Sequence, residues 1–427
     1  MITKIQTTGH MHKEDELLIG PFKQILPMSG LPLKGALKDE QLIIISDGGI
    51  LIKEGKIVAI DKYSTLAKTH PNASFSHISE DMVALPGFID AHTHICFGGT
   101  RAFDYAARNN GKTYLEIAKE GGGIWSTVTQ TRAAAQSELT ALMMTRIDRQ
   151  IRNGITTVEV KSGYGLNVEQ ELKMLRAIEE ANKQTKIDLI STCLAAHILP
   201  KDIDLDEAGY LNMILKELVP IIQKEKLTNR FDIFIEESAF GMALSTPYLN
   251  TLKKMGFDLT VHGDQFSPGG SHVAIDVGAK SVDHLEASGE KEILALAHSE
   301  VIPVALPGAT IGLGCPFTPA RKLLDAGTSL AIASDWNPGS APQGNLLSQA
   351  AIMGTFEKLS AAEILSGITY RAAAALGLKD KGILAPNKNA DIVGFAIHDY
   401  REILYHQGEL KPKFVWKNGE QIYKSAY

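Results

Sequence analysis

The sequence predicts an α/β protein: a (β/α)8 TIM-like barrel carrying a small β-sandwich built from both termini. Three observations predict it. The middle of the chain alternates β-rich and helix-periodic segments, and both ends are β-rich with hairpin signals. Polar groups suited to metal ligation also recur at the C-terminal ends of the middle strands. With 427 residues the chain can bury a large core and hold one large barrel or more than one domain.

Near the start, residues 41–60 form short β-rich runs separated by Asp47-Gly48-Gly49 and Glu54-Gly55-Lys56, two hairpin signals. The far end behaves alike. Residues 382–395 and 413–423 read as strand–turn–strand, with Lys417-Asn418-Gly419-Glu420 as a turn. β-rich ends flanking a different middle predict one composite sandwich over 1–82 and 382–427, with a barrel over 83–381.

Within the middle, strands are expected at 82–90, 155–162, 188–197, 231–238, 258–264, 280–286, 301–306 and 329–335. Helices are expected at 169–184, 206–224, 290–298 and 320–326. The first of these carries Leu172, Leu175 and Ile178 on one stripe. A doubly wound open sheet gives the same alternation. No Gly-x-Gly-x-x-Gly follows any strand, so its dinucleotide-binding form lacks a signature.

Bulk properties narrow the function. A net charge of -6 argues against a nucleic-acid or anionic-membrane partner. The three cysteines, Cys96, Cys193 and Cys315, are odd in number and far apart, which suits free thiols in a reducing cytoplasm. Residues 1–20 mix charged and polar side chains, unlike a secretory signal. The apolar run 301–317 is broken by Pro303, Pro307, Gly308, Gly312, Gly314 and Pro316, so no membrane span is expected.

The strand ends carry the chemistry. In order they offer His92 and His94, then Lys161-Ser162-Gly163-Tyr164-Gly165, His197, Glu236 and Glu237, His262-Gly263-Asp264-Gln265, Asp283-His284-Leu285-Glu286, and Ser334-Asp335-Trp336-Asn337. His92 and His94 are two apart on an extended segment and so face the same way. Taken singly, most of these groups read as satisfied core residues. Together at barrel strand ends they point to a mononuclear metal centre. His272, His298, His398 and His406 fall in helices or polar loops and read as ordinary packing or surface residues.

The run Pro86-Gly87-Phe88-Ile89-Asp90-Ala91-His92-Thr93-His94, with His262, His284 and Asp335, resembles the amidohydrolase superfamily. Within it the chain is similar to the imidazolonepropionase family, the imidazolone-ring hydrolases of histidine degradation. That narrower likeness rests on Phe97-Gly98-Gly99-Thr100-Arg101, residues 111–117, Gly121-Gly122-Gly123-Ile124, residues 157–166, Asp283-His284-Leu285-Glu286 and Asn337-Pro338-Gly339-Ser340. It runs from about residue 40 to the C-terminus and includes Asn389-Ala390-Asp391-Ile392-Val393. The resemblance implies the barrel plus sandwich, one Zn or Fe ion, and a homodimer. It also implies a small-molecule substrate, 4-imidazolone-5-propanoate, opened to N-formimidoyl-L-glutamate at the cyclic amide C–N bond.

Roles follow from the resemblance residue by residue. His92, His94, His262 and Asp335 would supply an N3O set that suits Zn²⁺ or Fe²⁺ and leaves room for water. Such an ion lowers the pKa of its water from about 15.7 toward about 7. Asp335 would accept the water's proton and deliver it to the leaving nitrogen, and His284 would stabilise the oxyanion. Arg101 can fork to the substrate propionate. Tyr164, His197, Gln265, Asn337, Gly339 and Ser340 would line the pocket.

Two departures stand out. Some family members carry Glu three residues after the third histidine, whereas this chain has Gln265, which cannot take a proton and is read as a hydrogen-bonding group. Asp104 and Tyr105 stand where relatives often show Glu and Phe. Lys161 and Glu159, on the second strand, read as a structural ion pair instead of a metal-bridging carbamate. Two other readings share parts of the skeleton. A mononuclear deaminase of a cytosine- or guanine-like ring has no need of Arg101, and a non-enzymatic scaffold predicts loss of the ligands.

Overall fold

The structure, a computed structural model, describes residues 16–426. The expectations for residues 1–15 lie outside the described residues. Eight parallel strands form the barrel in strictly sequential order: Phe88–Asp90, Ile155–Lys161, Asp188–Ala196, Arg230–Ile235, Asp258–Gly263, Ser281–His284, Ile302–Ala305 and Ala331–Ile332. A doubly wound sheet would reorder these strands, so the barrel reading holds. All eight are expected strands, most of them trimmed at one or both ends.

The seam between first and last strands is closed mainly above the sheet. Asp335 N donates to His92 O at 3.1 Å and His94 N to Trp336 O at 3.0 Å. Lower down, Asp90 Oδ1 accepts from Ser334 N at 2.9 Å and Asp90 Oδ2 from Ser334 Oγ at 2.6 Å. The seam thus brings the His-Thr-His run beside Asp335.

The expected strand over 82–90 is two strands. Val83–Pro86 pairs in the terminal sheet, and Phe88–Asp90 pairs with the second barrel strand. The chain crosses between them at Gly87, beyond the expected 82/83 boundary. A Cβ at Gly87 would overlap the Thr156 side chain, so the crossing needs glycine. The helix expected at 206–224 runs as Glu207–Met213, a π-helical turn at Ile214–Leu218, and Val219–Glu225. The wide turn comes just before Pro220, which has no N–H to give.

Both termini build one eight-stranded, mainly antiparallel sheet. Its path is Glu420–Lys424, Phe414–Lys417, Ile392–Phe395, Val83–Pro86, Leu17–Ile25, Ile45–Lys53 and Lys56–Lys62, with Ser74–His77 paired beside Leu17–Ile25. The sheet curls on itself. Ala390 N donates to Gly55 O at 2.9 Å, and Ile52 packs against Gly419 at the other end of the path. The faces enclose Ile19, Phe22, Ile25, Ile50, Ile57 and Trp416.

Two turn expectations need correction. Asp47-Gly48-Gly49 lies inside Ile45–Lys53, where its partner strand shifts register between Ile19 and Phe22. The glycines there serve close packing, against Ile25 and Tyr63, and Glu54-Gly55 makes the turn. Only Ile392–Phe395 of the segment 382–395 is a strand. Upstream, single backbone bonds go elsewhere: Leu384 N to Pro27 O and Asn387 N to Ile57 O. Among the described residues no helix is long and apolar enough to cross a membrane.

Candidate metal centre and active site

His92 and His94 follow the first barrel strand, His262 ends the fifth, and Asp335 follows the eighth, all four buried. Their donor atoms converge. His92 Nε2 and His94 Nε2 are 3.2 Å apart, and His94 Nε2 and His262 Nε2 are 3.4 Å apart. Asp335 Oδ1 lies 3.5 Å from His92 Nε2 and 3.4 Å from His94 Nε2. A tetrahedral site with bonds of about 2.0–2.1 Å has edges of about 3.3–3.4 Å, which these separations match. The three imidazoles form a group that can hold a metal ion.

Outer carboxylates set the direction of the nitrogens. Asp283 Oδ2 lies 2.6 Å from His92 Nδ1, and Asp232 Oδ2 lies 2.9 Å from His262 Nδ1. Asp283 takes the His92 Nδ1–H, and the Asp232 carboxylate faces His262 Nδ1 at ion-pair distance, so in both rings the Nε2 lone pair is left to face the common point. Burial pushes His94 and His262 down to about 3 and His92 well below its ordinary value, so all three are neutral, as ligation requires. Lone pairs crowded at one point repel unless a cation lies between them. The donor set therefore fits a divalent ion.

Lys161 lies within 2.8 Å of Glu159 and 2.9 Å of Asp232 and is fully buried. Burial alone would lower its pKa, but these carboxylates outweigh burial and keep it a cation. Asp232 is held well below the carboxylate range by His262 and Lys161, against burial. Asp283 sits 3.9 Å from the same ammonium, and burial pushes it up to about 7.

Around the centre, His284 ends the sixth strand with φ 88°, a turn that Thr318 Oγ1 braces by donating to His284 O at 2.6 Å. Burial would lower His284, yet Glu286, 3.4 Å from its Nδ1, and the nearby Asp335 raise it above the ordinary value. Asp335 itself is raised by burial, which His284, His262 and Asn337 only partly offset.

The walls are built from loops. Glu171 Oε1 accepts the N–H groups of Gly165 and Leu166 at 2.7 and 2.8 Å, and its Oε2 accepts that of Gly163 at 3.1 Å. This folds the loop so that the Tyr164 ring centroid lies 5.9 Å from that of His94. His197 stacks 5.6 Å from His94, and its Nδ1 is 3.0 Å from Gly163 O. Asn337 donates to Asp335 Oδ2 at 2.8 Å and to Ser340 Oγ at 2.9 Å, and accepts from Gly339 N at 2.7 Å. Arg101 approaches Gly339 so closely that a Cβ there would lie 2.9 Å from its Nη1. Its Nε pairs with Asp104 Oδ2, which also accepts Gly123 N–H at 2.8 Å. Gln265, half-buried, lies three residues past His262.

Two expected mouth residues face elsewhere. Glu236 accepts from Phe266 N at 2.8 Å and Ser267 Oγ at 2.6 Å, pinning the loop after the fifth strand, and Glu237 is exposed. Asp232 is a functional neighbour that the strand ends alone do not mark. Its signal is weak but present: Asp232, Phe234 and Glu236 share one strand face by their spacing of two.

A sequential parallel barrel with this strand-end donor set defines an amidohydrolase-type hydrolase. The amidohydrolase family model matches residues 279–422. Solved structures agree on the fold at low identity. A triazine hydrolase variant gives TM-score 0.73 at 18% identity over 96% of this chain and 95% of its own. Escherichia coli guanine deaminase gives 0.69 at 17%, over 97% and 100%. Sequence relatives are nearer. The imidazolonepropionase of Bdellovibrio bacteriovorus is 37% identical over 413 residues, covering 95% of this chain and 96% of that protein. That of Deinococcus radiodurans is 38% identical over 392 residues, covering 92% and 96%. The chain belongs to the imidazolonepropionase family.

Proposed function

We propose that this chain hydrolyses 4-imidazolone-5-propanoate to N-formimidoyl-L-glutamate, adding one water across the cyclic amide C–N bond. Beyond family membership, one observation carries the reading. The four-donor centre and the Arg101 guanidinium meet on the two sides of the Asn337–Ser340 turn. A neutral heterocycle at the centre and a carboxylate at Arg101 use both ends. His92, His94, His262 and Asp335 are proposed to hold one divalent ion, Zn or Fe. When bound, such an ion supplies a Lewis acid that brings the pKa of a water to about 7.

The residues do the rest. Asp335, oriented by Asn337, accepts a proton from the attacking water and returns it to the departing ring nitrogen. His284, kept in its charged form more readily than a free imidazole by Glu286, donates to the carbonyl oxygen as negative charge develops there. Arg101 binds the propionate through a fork, and Asp104 keeps the guanidinium plane fixed. Tyr164 and His197 stand against the ring, with Gln265, Gly339 and Ser340 completing the pocket. We place the enzyme in the cytoplasm, consistent with its three free cysteines, and as a homodimer with no nucleic-acid or membrane partner.

The test is to incubate the purified protein with freshly made 4-imidazolone-5-propanoate and follow its ultraviolet loss, corrected for spontaneous decay. Accumulation of N-formimidoyl-glutamate supports the reading. Ammonia release from heterocyclic amines, with no imidazolone turnover, would replace it by a deaminase.

A further inference from the structure

Lys161 ends the second barrel strand with its side chain wholly inside the barrel. Its ammonium lies 2.8 Å from Glu159 Oε1, 2.9 Å from Asp232 Oδ2 and 3.9 Å from Asp283 Oδ2. Two of these oxygens have a second partner. Asp232 Oδ2 is the atom 2.9 Å from His262 Nδ1, and Asp283 Oδ2 is the atom 2.6 Å from His92 Nδ1. Glu159 is tied to the same region, accepting Thr93 N–H at 3.2 Å, while Thr93 Oγ1 donates to Glu159 O at 2.6 Å. Thr93 stands between His92 and His94. One ammonium therefore touches carboxylates from the second, fourth and sixth strands and reaches three places on the donor set.

Three carboxylates this close repel one another strongly where water is excluded. Without a shared cation they would swing apart, and each imidazole would lose the atom that fixes its ring. We propose that Lys161 is a positioning residue for the metal centre: a non-ligating cation that gathers Glu159, Asp232 and Asp283, and through them aims the Nε2 atoms of His92 and His262. The inference rests on reading the four donors as a metal site.

Zinc affinity measures this without substrate. The full chain is stripped of metal and titrated with zinc against a chromophoric chelator, as wild type, Glu159→Gln, Lys161→Met and the pair Lys161→Met/Glu159→Gln. The pair removes one charge of each sign and so keeps the buried charge balance if Lys161→Met alone fails to fold. Outer-sphere changes typically weaken metal binding about 10–100-fold, and that loss is expected for the pair and for Lys161→Met. Glu159→Gln alone should lose less than either, because Lys161 stays against Asp232 and Asp283 while the single amide oxygen can accept from only one of Thr93 N–H and Lys161 Nζ. Cobalt(II) loaded into the pair should show weakened tetrahedral visible bands, a change that general destabilisation does not produce. Wild-type zinc affinity and cobalt spectrum in the pair would overturn the role of Lys161, as would an equal loss in Glu159→Gln alone. Failure of the wild type to bind one zinc would instead overturn the metal site beneath it.

Discussion

Replacing Arg101 by alanine separates two tasks that the structure gives to one guanidinium. Its Nε is taken by Asp104, and its Nη1 is the atom beside Gly339, so the Nη end is free to meet a carboxylate. Each charge-assisted hydrogen bond in such a fork contributes about 1.5–3 kcal/mol. The two are not fully additive, so losing both should cost about 3–4 kcal/mol. At about 1.4 kcal/mol per decade that is a fall of roughly 10²–10³ in kcat/KM, carried mainly by KM. The second task is structural. Asp104 is 3% exposed and would keep only its Gly123 N–H, and breaking a buried pair costs about 3–5 kcal/mol. The lower end applies because one donor remains. Arg101→Ala should therefore both raise KM and lower the melting temperature. Arg101→Ala/Asp104→Asn should recover much of the melting temperature and none of the KM. Steady-state assays of 4-imidazolone-5-propanoate loss, run beside thermal melts, read both. A KM within about threefold of wild type in Arg101→Ala, or its recovery in the double variant, would show that Arg101 does not bind the propionate.

Other consequences concern the frame. Gly87→Ala should lower stability by at least the ~1–3 kcal/mol of an overpacked core, since the new methyl overlaps Thr156; an unchanged urea midpoint would show that the crossing tolerates a side chain. Asp188, on the third barrel strand, meets Lys417 of the terminal sheet at 2.5 Å and Lys381 at 2.6 Å. Burial would raise its pKa from 3.8, but the two lysines outweigh it and hold the carboxyl below that value. A depressed folded pKa means the stabilisation is complete above about pH 4 and fades as pH falls through the lower folded value. Lys417→Met, which also removes the ammonium 2.6 Å from Asp391, should thus lower the melting temperature at pH 7 by more than at pH 3, and an equal loss at both would contradict these pairings.

Much of this was legible in the chain, for physical reasons that differ by element. His92 and His94 stand out because a spacing of two on the extended segment after an apolar strand puts both rings on one side. His262, His284 and Asp335 were each found by reading where an apolar run stops. The split at Gly87 is hidden because its one local mark, Pro86-Gly87, sits between two apolar runs, and nothing local says that these runs pair in different sheets. Asp47-Gly48-Gly49 misled in the opposite way. Its composition is that of a turn, yet the glycines are there because Ile25 and Tyr63 press against the strand. Glu236 was over-read for a related reason, since sequence places a carboxylate at a strand end without saying that the next loop will claim it. The outer carboxylates Asp232 and Asp283 act only through contacts between strands far apart in sequence, so their roles needed the fold.

Turnover of 4-imidazolone-5-propanoate against metal content tests the metal-dependent hydrolysis most directly. The chelated protein would receive zinc or ferrous iron in fractional equivalents, with N-formimidoyl-glutamate measured at each step. No enzymatic turnover is expected without metal, with a linear rise that ends at one equivalent per chain. Full turnover by the stripped protein, or none at one bound equivalent, would contradict metal-dependent hydrolysis.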